Sequence, residues 1–119
     1  MHLDQMRETL RNFAADADLE IVSCDRGGLV LSVSLPSRGG ETFEIRIASL
    51  IHLDMGPSMT LGKIEFGGLE LLPRGYIDSR NFDYGGELAE YRTLRITDVD
   101  DKIHYVVGYG VETIVPASK

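Results

Sequence analysis

The chain has 119 residues, 43% apolar and 26% charged, and its 19 acidic residues against 12 Lys and Arg leave a net charge of −7. That length fits one domain, residues 1–119, able to bury a core without disulfides or metal. The acidic balance argues against phosphate backbones and anionic membranes as partners, and no apolar run approaches the ~20 residues of a membrane-spanning helix.

Residues 3–17 carry the spacing of an amphipathic helix. Leu3, Met6, Leu10, Phe13, Ala14 and Ala17 recur at intervals of three and four, which puts them on one face. Asp4, Glu8, Asp16, Arg7 and Arg11 occupy the other, and the early acids suit the helix dipole. This start lacks the basic and apolar stretches of a signal peptide, and the lone Cys24 forms no intramolecular disulfide. A cytoplasmic location is the expectation.

From Leu19 the period becomes two. Residues 19–25 and 29–35 flank the turn Arg26-Gly27-Gly28, a hairpin signal. After a loop at 36–40, residues 41–53 read as one long strand. Phe43, Ile45, Ile47, Ser49, Ile51 and Leu53 lie on one face, with Thr42, Glu44, Arg46, Ala48, Leu50 and His52 on the other. Residues 59–66 and 69–72 read as short strands around Gly67-Gly68. Neither period holds across 73–87. Residues 90–98 and 102–108 then form a second hairpin about a Val-Asp-Asp turn, and 111–116 is a last strand. A helix followed by strands argues α+β: an N-terminal helix on a curved, mainly antiparallel sheet or open barrel of about 6–8 strands.

Motifs for chemistry fail on spacing. Residues 56–63 resemble a phosphate loop, but the interval is one residue too long and Ile64 stands where a hydroxyl should bind magnesium. Val107-Gly108-Tyr109-Gly110 matches part of a potassium filter without the membrane helices a filter needs. Asp98, Asp100 and Asp101 suggest calcium, yet Ile103 and Tyr109 occupy the positions that need Gly and Glu, so a turn in which Asp bonds its own backbone is expected. His52 and Asp54 share a strand face, as the rear of a hydrolase triad would, but Ser49, Ser58 and Cys24 lie in no nucleophile elbow. Cys24, beside Val22 in a strand, is expected to be a small buried hydrophobe. No cofactor or metal is expected.

Two features point to binding instead. The irregular segment 73–89 carries Tyr76, Phe82 and Tyr84 among charges, a composition common in binding surfaces. Acids are also dense from Asp83 to Asp101: Asp83, Glu87, Glu90, Asp98, Asp100 and Asp101. Gathered on one face, Tyr76, Phe82, Asp83, Tyr84, Glu87, Glu90, Asp98, Asp100 and Asp101 would recognise a protein partner, a basic one by charge complementarity. The expectation is therefore a non-enzymatic protein-binding module, in concrete form an immunity-type inhibitor of a basic toxin or nuclease. The alternatives are a structural or homodimeric domain, or a small ligand-binding or hydrolytic domain with a pocket near His52 or His104.

Overall fold

The structure, a computed structural model, describes residues 2–25, 28–73, 76, 90–109 and 112–117. One helix, α1 (Leu3–Phe13), precedes eight strands: β1 (Asp18–Asp25), β2 (Gly28–Leu35), β3 (Glu41–Ile47), β4 (Leu50–Asp54), β5 (Ser58–Gly67), β6 (Tyr91–Asp98), β7 (Ile103–Tyr109) and β8 (Glu112–Pro116). Every described pairing is antiparallel, in the order β4-β7-β6-β5-β1-β2-β3-β8, and the sheet is not closed. The fold is α+β, with the helix packed on an eight-stranded antiparallel sheet. Among the described residues, no helix is long and apolar enough to cross a membrane.

The periodicities explain the core. Met6 and Leu10 of α1, followed by Ala14 and Ala17, share one buried cluster with Leu29, Leu31, Val33 and Leu35 of β2 and Phe43, Ile45 and Ile47 of β3, and the helix lies nearest β5 and β8. Leu61, Ile64, Leu94, Ile96 and Val106 complete the core from β5, β6 and β7. The helix stops at Phe13, four residues short of the expected end. Residues 14–17 turn so that the Asp16 N–H donates to Leu61 O and the Leu61 N–H to Ala17 O, which ties the connection to β5. Phe13 is half-exposed, with the Arg38 guanidinium 5.1 Å above its ring.

The expected strand 41–53 is two strands. Its even alternation continues only to Ile47. Ala48 and Ser49 then carry the chain from β3, beside one end of the sheet, to β4 at the opposite edge. A two-residue link spans about 10 Å, so the sheet has to curl until its two ends nearly meet at this corner. The Tyr109 N–H donates to Ser49 O at 2.8 Å there. A Cβ on Gly108 would lie 2.2 Å from Ile47 Cγ2, so this approach needs a residue without a side chain. The break also shifts the phase. Leu50 turns inward and Ile51 is exposed, the reverse of the single-strand expectation, while Leu53, past a bulge between Leu50 and His52, packs on the core as expected.

Two smaller expectations are also corrected. Leu69–Leu71 is a turn of 3-10 helix rather than a strand. Cys24 is exposed, near the end of β1 and beyond Asp18–Glu20, the residues of β1 that β5 pairs with.

Candidate functional site

The β6–β7 hairpin tip is tightly built. Asp98 Oδ1 accepts the N–H groups of Asp100 and Lys102 at 2.8 and 3.0 Å, and Oδ2 lies 2.9 Å from His104 Nε2. The Asp98 N–H donates to Lys102 O, and the Val99 N–H to Thr60 O on β5. Asp98 is thus consumed in shaping the turn, as its short side chain favours. The residues it leaves on display are Asp100, Asp101 and Lys102, all exposed, with Val99 and Ile103 52% and 51% exposed.

These bonds hold the Asp98 carboxyl below its ordinary value of 3.8, first through His104, then through the Lys102 and Asp100 N–H groups. Because the folded value is the lower one, the stabilisation is complete above 3.8 and is lost as pH falls through the depressed value. Asp98→Asn is expected to flatten this part of the acid-unfolding profile, read as urea midpoints below about pH 5. A profile identical to that of the parent chain would show that the turn does not depend on this carboxylate.

His52 and Asp54 do share a strand face, but Tyr76 stands between them. Its hydroxyl donates to Asp54 Oδ2 at 3.0 Å and lies 2.8 Å from His52 Nε2. With its one proton given to Asp54, the hydroxyl accepts from His52, so Nε2 carries hydrogen. Burial, then the bond to Asp54, pushes the Tyr76 hydroxyl up to about 12. The ring is also 4.7 Å from that of Tyr105. A phenol this weakly acidic, donating to a carboxylate, serves as a fastening and not as a nucleophile. His52 and Asp54 are in register with Val107 and Tyr105, whereas His104 alternates with Tyr105 and so projects from the opposite face. The two histidines therefore share no pocket. Ser58 begins β5, three strands from β4 in sheet order, in register with Glu20.

The face of β6 and β7 that bears Tyr76 has its own apolar patch. Tyr91 and Val107 are buried there beneath Leu69, Leu72 and Tyr109. Arg95 on the same face is paired with Glu65 at 2.5 Å and donates to Leu71 O. Leu69, Leu71, Leu72 and Tyr76 thereby meet a sheet face that would otherwise be wet. Thr93, in register with Val107 and Gly67, is fully buried in this layer, and its hydroxyl has no hydrogen-bond partner among the described residues. Thr93→Val removes that orphan at nearly constant volume and is expected to raise stability by about 1 kcal/mol, or roughly 3 °C in Tm. A fall in the calorimetric Tm would mean that the hydroxyl is satisfied.

Of the residues expected to gather at a partner site, Tyr76, Asp98, Asp100 and Asp101 lie toward one end of the sheet. Asp54 pairs with Tyr105 there, two residues from the end of the turn that begins at Asp98. Glu90 precedes Tyr91 at the other end of β6, about 25 Å away along the strand. Phe82, Asp83, Tyr84 and Glu87 lie outside the described residues, as does Gly110 of the filter-like motif.

One device was not anticipated. Glu112 of β8 is 3% exposed and accepts from Arg7 Nε and Nη2 at 2.9 and 2.5 Å, while the Arg7 side chain is 20% exposed. The signal for it was the alternation of β8, which puts Glu112 on the core face with Ile114.

No family model matches the chain, and neither a curated protein nor a solved structure matches it.

Proposed function

We propose that this is a non-enzymatic, cytoplasmic protein-binding module that offers the β6–β7 hairpin tip to a basic protein, in the manner of an immunity-type inhibitor of a toxin or nuclease. The observation that carries the reading is the display of Val99 and Ile103, each about half exposed, beside the exposed carboxylates of Asp100 and Asp101 on a turn already fixed by Asp98. Aliphatic anchors supply desolvation, and neighbouring carboxylates steer and orient a cationic surface. A turn that is rigid before binding loses little freedom on docking. Asp98 itself contributes by shaping the loop rather than by touching the partner. The net charge of −7 extends the attraction beyond contact distance.

The test is affinity capture from the native host with the parent chain and a Val99→Ser/Asp100→Asn/Asp101→Asn variant side by side. The expected result is a basic protein retained by the parent, released by added salt, and weakened at least ~10-fold by the variant. Equal capture by both proteins, or no capture by either, would overturn the proposal.

A further inference from the structure

At the end of the sheet opposite the hairpin tip, a cleft of about 320 Å³ opens between α1 and the curled strands. It lies where the end of β5 and the starts of β6 and β8 meet α1. Arg7 and Arg11 reach it from α1, Arg92 from β6 and Glu112 from β8, over Phe66 and Gly67 of β5.

The charges here are not spent alike. Arg7 is held by Glu112 and by Asp4, the latter 93% exposed. Arg11 is one helical turn from Arg7 on the same side, an arrangement of like charges that costs a helix a few tenths of a kcal/mol unless an anion answers it. Neither Arg11 nor Arg92 makes an ion pair among the described residues. Glu70, the acid on which Arg92 acts, has its carboxyl lowered first by the N–H groups of Gly68 and Glu70 and least by Arg92. Glu8, three residues before Arg11, also lines the cleft, and it borders the groove beside Gln5 and Phe13 as well. Two guanidinium forks without an ion pair among the described residues thus line one cavity, beside Asp4 and Glu8 and with Glu112 fixing a third guanidinium.

We propose that this cleft binds a small organic oxyanion, a carboxylate or phosphate ester, gripped between Arg11 and Arg92 with its apolar body on Phe66. Guanidinium forks match the paired oxygens of both groups. Phe66, partly buried against the core, is the apolar side chain in the lining. The binding would be independent of the hairpin tip, which lies at the far end of β6.

The test is an NMR titration of the full chain, following the arginine Nε–Hε signals with inorganic phosphate and, separately, benzoate. The expected result is a saturable shift at Arg11 and Arg92 with at least one probe, absent at Arg46, an exposed surface arginine paired with Glu44. Arg11→Gln and Arg92→Gln, both at exposed positions, should each weaken that probe at least ~5-fold while leaving the remaining spectrum folded. The tighter probe identifies the head group. Linear drift of equal size at Arg46, or unchanged titration in both variants, would overturn the proposal.

Discussion

Glu112→Ala is expected to destabilise the protein by about 3 kcal/mol, which lowers Tm by roughly 10 °C for a chain of this length. The substitution leaves the Arg7 guanidinium, only 20% exposed, without the carboxylate that accepts from both Nε and Nη2. A charge held that far from water, left with only the exposed Asp4 as its partner, costs more than the lost attraction alone. The remaining exposure lets some solvent reach Arg7, which places the effect at the low end for buried pairs. The paired replacement Arg7→Met/Glu112→Leu should recover most of the loss, because it removes both desolvated charges together. Urea unfolding of the three chains checks this. A loss under about 1 kcal/mol for Glu112→Ala would show that the pair is effectively solvated.

The second large effect is expected at Gly28. Its φ is +129°, and a Cβ there would lie 2.1 Å from Ile47 O and 3.0 Å from Ala48 O. Both obstacles are backbone atoms at the point where the chain leaves β3 for β4, so they cannot swing aside as a side chain would. Gly28→Ala therefore combines a conformation that L-residues rarely adopt with a direct clash, and should cost about 3 kcal/mol or more. Gly56→Ala is the matched control. Nothing lies within 4 Å of a Cβ at Gly56, and its change should stay within about 0.5 kcal/mol. Equal thermal stability of the two variants would mean that the crossing from β3 to β4 is looser than described.

Much of the fold was legible wherever one period ran undisturbed. Residues 29–35 alternate without a break, and Leu29, Leu31, Val33 and Leu35 are the inward set in β2. The hairpin about residues 98–101 was equally plain, since Asp at the head of a turn bonds its own backbone. The break in residues 41–53 was hidden, because Ser49 fits the alternation as well as a strand residue would. The crossing there follows from where β4 pairs, which no local pattern encodes. Tyr76 and the Asp98 turn come to one end of the sheet, while Glu90, eight positions before Asp98 in the same run of acids, is carried to the other end because the intervening residues are a strand.

What the sequence by itself determined is what neighbours within a few residues decide: the helix face, the strand faces, the glycine and aspartate turns, and the net charge. Which distant side chains meet was decided only by the tertiary structure. Arg7 and Glu112 are 105 positions apart, and His52, Tyr76 and Asp54 converge from β4 and a segment that has no period of its own. The physical reason is that burial and pairing partners are set by how the sheet curls and in what order its strands assemble, whereas periodicity reports only which way each side chain points from its own backbone.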